Sequence, residues 1–140
     1  EGLLGSQYGQ SYTFTVLALL YPWLKFEHHF HVDHIFPRSM FTEKEMRKRG
    51  ISPEDWHLWL DHKDNLANLQ LLQGLANQQK SDKEFEVWLQ SSQQLPHEMD
   101  KYCELHFIPD VDLSFENFPD FLKAREQIIR ERLIELLDIR

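Results

Sequence analysis

Cysteine is almost absent from this chain: Cys103 stands alone in 140 residues. One thiol excludes an internal disulfide framework and a zinc site built from paired cysteines, and a reducing, cytoplasmic setting is the expectation. Long apolar runs are missing too. The longest, Val16 to Leu20, stops at Tyr21 and Pro22, far short of the roughly 18 to 20 apolar residues of a membrane span, so no membrane is expected among the partners. No basic segment followed by an apolar stretch and a cleavage site opens the chain, so no secretory signal is expected. It begins at Glu1-Gly2 without a Met. The expectation is a single domain, 1–140, forming the C-terminal piece of a longer protein. Positive charge is scarce, with 15 Lys and Arg against 23 Asp and Glu and a net charge of -8. That balance excludes nucleic-acid binding by bulk electrostatics and leaves only local patches for such work. Arg38, Lys44, Arg47, Lys48 and Arg49 form one cluster, and Lys80 with Lys83 another. Most of these side chains are read as solvated helix faces.

What is present is bulk for a core: ten Phe and four Trp. The pattern predicts an α+β fold, mostly helical. Tyr12 to Tyr21 is expected to be a buried helix stopped by Pro22. Trp23 to Phe26 leads into a short strand near 30–35, carried by Phe30, Val32 and Ile35 and broken by Pro37. Thr42-Glu43-Lys44-Glu45 has the form of a capping box, with Gly50 as the C-terminal stop. Ser52-Pro53-Glu54-Asp55 opens another helix, with Trp56, Trp59 and Leu60 on one face. A second strand near 69–72 follows a stretch of ambiguous periodicity. Gly74 punctuates it, and Leu75 to Lys80 is a brief helix. Ser81-Asp82-Lys83-Glu84 is read as a second capping box, opening a helix through Leu89. Residues 91–113, containing Pro96 and Pro109, are expected to be irregular. From about Asn117 to Leu137, apolar residues recur at helical spacing in a stripe that packs on the core.

Three short strings carry chemistry: Val32-Asp33-His34-Ile35-Phe36-Pro37, Asn68-Leu69-Gln70-Leu71-Leu72, and Asn77-Gln78-Gln79-Lys80. Hydrolysis of a phosphodiester needs an activated water and stabilisation of the leaving oxygen. A histidine with a pKa near 6.5 is a natural base at neutral pH. A hard cation wants oxygen ligands, here the Asp33 carboxylate and the Asn77 carbonyl, with waters and phosphate oxygens completing the shell. Strict alternation along a strand sends Asp33 and His34 to opposite faces, so the two come together only where the strand bends or ends.

These strings resemble the HNH (ββα-metal) nuclease family. Asp33-His34-Ile35-Phe36-Pro37 matches its first motif, Asn68-Leu69-Gln70 its second, and Asn77 with Lys80 its third, at the familiar step from Asn68 to Asn77. The resemblance implies His34 as general base and Asp33 and Asn77 as ligands of a divalent ion, Mg²⁺ first and Mn²⁺ as an alternative. It implies Asn68 as the residue that holds the loop positioning His34, and Lys80 as a phosphate contact. Two departures stand out. Residues in the places of the family's frequent zinc-binding cysteines include Gln73 and Ala76, so no structural zinc is expected, and the last motif residue is Asn rather than His. A narrower resemblance covers Tyr12 to Pro22, Phe30 to Ser39, Asn65 to Leu72 and Phe118 to Arg125. These segments are similar to the C-terminal HNH modules of bacterial ParB-like/HNH restriction proteins, the GmrSD-like group. That implies an endonuclease acting on DNA in defence against foreign DNA, with an N-terminal sensing or regulatory domain on the same polypeptide.

Other readings stay beside this one. Arg38 is equally a phosphate contact and an exposed side chain. His28 and His29 are read as surface residues, His31 as structural or as a neighbour of a metal, and Asn65 as a turn residue. His57, His62, His97, His106 and Cys103 carry no context that raises them above surface or core positions. The rival functions are a catalytically silent HNH-shaped binding module and an interaction domain stabilised by zinc on the histidine cluster.

Overall fold

The computed structural model describes residues 3–10, 12–22 and 29–137. Trp23 to Phe26 and His28, which figured in the expectations above, lie outside them. The apolar segment before Pro22 forms α1 (Thr13–Leu19), and the histidine-rich stretch forms β1 (Phe30–His34). Thr42 caps α2 (Glu43–Lys48) through its hydroxyl, which accepts the Glu45 N–H at 3.2 Å. Gly50 follows the cap with φ +77°, a conformation that glycine adopts without a Cβ penalty. A 3₁₀ turn at Pro53–Asp55 precedes the short α3 (His57–Leu60). β2 (Leu69–Gln73) then runs straight into α4 (Gly74–Lys80). The remaining helices are α5 (Phe85–Ser92), α6 (Pro96–Leu105) and α7 (Phe118–Leu137).

Two expectations are corrected. The Ser81-to-Glu84 capping box does not form: Glu84 is the cap residue of α5, without a side-chain cap bond. Ser81 instead ends α4 with φ +48°, a backbone turn that takes its hydroxyl out of register with α5. The stretch 91–113 is not irregular throughout, because α6 occupies its middle. Pro96 sits in the first turn, where its missing N–H costs nothing, and the Glu98 carboxylate accepts the Leu95 N–H at 3.1 Å. Proline there is a helix start, not a break.

β1 and β2 pair antiparallel, with Val32 opposite Leu71, Asp33 opposite Gln70 and His34 opposite Leu69. α4 packs against both strands, completing a ββα unit in a mostly helical chain. The sheet stands between two apolar clusters. Leu69 and Leu71 face one of them, with Val16, Leu17 and Leu20 of α1 and Ile129 and Leu133 of α7. Leu72 faces the other, an aromatic core built on Phe36, Phe85, Trp88, Phe115, Phe118 and Phe121. Because β2 is buried on both faces, its sequence lacks the apolar–polar alternation of a half-exposed strand.

α7 spans both clusters, and Arg125 lies at the crossing, fully buried. Its guanidinium donates to the carbonyls of Ala67 at 2.9 Å, Leu69 at 2.7 Å and His106 at 3.0 Å. Side-chain donors thereby serve backbone acceptors of the 3₁₀ turn Leu66–Asn68, the start of β2 and the end of α6. Among the described residues, no helix is long and apolar enough to cross a membrane.

Candidate active site

The end of β1 is the floor of an open cleft of about 610 Å³, bordered by Asp33, His34, Arg38, Asn77 and Tyr8. The strand stops at His34, so the pleat no longer separates the two neighbours and both border one cavity. Asn77 reaches the same cleft from α4. Asp33, His34 and Asn77, picked out by their motifs, are therefore brought together, and Arg38 stands at the rim with a half-exposed side chain.

Asn68 is fully buried and binds backbone only. Its Oδ1 accepts the Phe36 N–H at 2.9 Å, and its Nδ2 donates to the Phe36 carbonyl at 3.2 Å and the Lys63 carbonyl at 2.7 Å. The Ile35 N–H donates to the Asn68 carbonyl at 2.7 Å. These bonds tie the chain leaving β1 to the chain entering β2.

Asp33 sits opposite Gln70 on the sheet, and the pairing puts both side chains on one face. Gln70 Nε2 donates to Asp33 Oδ2 at 2.9 Å, while Gln70 Oε1 accepts the Tyr102 hydroxyl. The Lys80 ammonium lies 3.1 Å from the same Oδ2 and donates to the His34 carbonyl at 2.8 Å. Lys80 is 0 % exposed. The phosphate contact expected of it is thus corrected: its charge is spent inside the protein, on Asp33 and on the end of β1. Burial pushes the Asp33 pKa up and the Lys80 pKa down, each shift opposed by the charge of the other.

The contacts of Gln70 and Lys80 with Asp33 both fall on Oδ2, and among the described residues none is made to Oδ1. A carboxylate oxygen and the Asn77 amide oxygen on one cleft suit a hard divalent cation that keeps most of its shell for water and phosphate. Among the described residues no group of three His, Cys, Asp or Glu side chains forms a protein cage for a metal. His29 and His31 are exposed, and His31 borders a neighbouring hollow rather than the cleft itself.

His34 has a partner that the motifs do not mark. Its Nε2 lies 2.8 Å from Asp64 Oδ1. Asp64 also lies 3.5 Å from Arg38 Nε, and the Tyr8 ring packs on the imidazole at 4.4 Å between centroids. Burial lowers the His34 pKa, against the opposing pull of Asp64. Asp64 falls in the charged run Asp61-His62-Lys63-Asp64, with no spacing that singles it out, and Tyr8 comes from a distant segment. Gln70 was legible in principle: it belongs to the second motif, and the register alone places it opposite Asp33.

Residues 7–137 match the family described as GmrSD restriction endonucleases, C-terminal domain. No curated protein matches the chain.

Proposed function

Because the chain belongs to the GmrSD restriction endonuclease C-terminal domain family, we propose that it is a metal-dependent nuclease module of the HNH type, hydrolysing DNA phosphodiester bonds in restriction of foreign DNA. The observation that carries this reading is the convergence of Asp33, His34 and Asn77 on one cleft. In this scheme a backbone phosphate enters the cleft beside Arg38, the cation on its rim. Neutral imidazole at His34 takes a proton from a water as the water oxygen bonds to phosphorus. The P–O bond to the departing sugar oxygen breaks, and solvent returns the proton to that oxygen. Asp33 and Asn77 would hold the divalent ion, Mg²⁺ or Mn²⁺, which supplies stabilisation of the charge on the leaving oxygen. Asn68 keeps the His34 loop in place. Target choice falls to another domain of the same polypeptide.

The test compares plasmid nicking and Mn²⁺ affinity for the unaltered chain, His34→Ala and Asp33→Asn. His34→Ala is expected to lose at least about 10²-fold in rate and to keep its metal affinity. Asp33→Asn is expected to lose both. Cleavage by His34→Ala at the unaltered rate would overturn the reading.

A second reading, an HNH-shaped binding module without catalysis, draws on the Lys80 ammonium already paired with Asp33. It requires that the unaltered chain take up no Mn²⁺ and cut no DNA.

A further inference from the structure

A neutral imidazole has one N–H and one lone pair, and which nitrogen carries which decides whether it can accept a proton from a given direction. An ionised carboxylate only accepts hydrogen bonds. The contact of 2.8 Å between His34 Nε2 and Asp64 Oδ1 therefore requires the proton on Nε2 and places the lone pair on Nδ1. From this geometry we infer that Asp64 is the positioning residue of the site, holding His34 in the Nε2–H tautomer and in one ring orientation so that Nδ1 is the basic atom. The inference rests on the nuclease reading, in which His34 is the base.

The loop that carries Asp64 is fastened on both sides. The Tyr8 N–H donates to the Asp64 carbonyl at 2.8 Å, and the Leu66 N–H to the Ser6 carbonyl at 2.9 Å. One residue before Asp64, the Lys63 carbonyl accepts from the buried amide of Asn68. A segment from the start of the described chain thus straps down the loop, and the same segment lays the Tyr8 ring against the imidazole, where it opposes a flip about χ2. Asp64 is three-quarters buried, which strengthens its pull on His34 relative to a carboxylate in water. As the imidazole takes a proton it becomes a cation, and the carboxylate beside it stabilises that state more than the neutral one. The arrangement matches the carboxylate–histidine pair of serine hydrolases in role, where loss of the carboxylate's charge favours the wrong tautomer. The Arg38 Nε atom, 3.5 Å from the same Asp64 oxygen, makes a longer ion-pair contact there.

The test reads the His34 tautomer directly from imidazole ¹⁵N shifts of the labelled chain, without metal or DNA. The expected result is Nε2–H with a lone pair on Nδ1 in the unaltered protein. Asp64→Asn, which offers an N–H donor in place of an oxygen, is expected to shift the population toward Nδ1–H. It should lower kcat for nicking by about 10²- to 10⁴-fold, while KM for DNA changes less than threefold. Asp64→Glu should recover at least tenfold of that loss. An Nδ1–H signature in the unaltered chain would overturn the inference, and so would an Asp64→Asn variant with unchanged tautomer and kcat within threefold. The tautomer is read whether or not the chain cuts DNA, so failure of the nuclease reading shows as an inactive protein with the expected ¹⁵N signature.

Discussion

Lys80 is buried from bulk solvent, and Asp33 and the His34 carbonyl are the partners of its ammonium. Removing one member of a buried pair leaves the other charge uncompensated, at a cost of about 3 to 5 kcal/mol. Lys80→Met is therefore expected to destabilise the fold by that order in urea unfolding, and Lys80→Met with Asp33→Asn to recover part of the loss. A phosphate contact on the surface would behave in the opposite way, losing DNA affinity with stability held within about 0.5 kcal/mol. The family motif identified Lys80 as a residue that matters. Only the depth of α4 against the sheet showed that its partner is a carboxylate of the same chain. For His34, Asn68 and Asn77 the motifs and the family they resemble led to the region of the cleft. For Asp64 they did not, because the residue reaches His34 across 30 positions of chain through a loop whose path depends on the strap at Ser6 to Tyr8.

At the scale of elements, the seam between α1, the end of α6 and α7 is built on polar groups shut away from water. The Tyr21 hydroxyl and His106 Nδ1 lie within hydrogen-bond distance at 3.0 Å, and burial pushes the tyrosine pKa up to about 12, so the phenol keeps its proton. His106 stacks on Tyr102 at 4.2 Å. Burial, reinforced by the nearby Arg125 cation, lowers its pKa to about 3. Unfolding returns it to about 6.5. Between these values the unfolded chain binds the extra proton, so stability rises with pH there. The contribution is complete above about pH 6.5 and is lost progressively as pH falls toward 3, on the order of 5 kcal/mol in all. Urea midpoints measured from pH 7 to pH 4 should fall accordingly. His106→Gln keeps a hydrogen-bonding side chain beside Tyr21 without a titrating ring, and its midpoints should fall less steeply. Equal slopes for the two proteins would show that His106 is not the source. Sequence periodicity placed α7 and α1 correctly, yet gave no warning of this seam. His106 and Arg125 are polar letters in the sequence, and only the packing of three elements makes them interior.

For the whole molecule, a net charge of -8 sets the terms of any contact with DNA. Among the described residues bordering the cleft, Arg38 is the one Lys or Arg. Each phosphate neutralised contributes about -0.9 to the slope of log K against log salt concentration. The chain alone is expected to bind duplex DNA weakly with a slope of about -1 to -2, and to nick it with little sequence preference, since it presents few groups to base edges. Fluorescence anisotropy across a salt series measures the slope. A value steeper than about -5, or sequence-specific cutting by this chain alone, would move the recognition surface back to the basic run from Arg38 to Arg49.

The sequence by itself determined most of the elements, from local periodicity and caps, and its motifs, through their resemblance to a known family, pointed to the ββα unit; the pairing of β1 with β2 joins strands that α2 and α3 separate in the chain. The sequence missed α6, because Pro96 resembles a break and is a start. The tertiary structure alone decided which charges are inside. Burial depends on what other elements cover a residue, so it settled that Lys80 pairs with Asp33, that Arg125 serves carbonyls at the start of β2 and the end of α6, and that Asp64 stands behind His34.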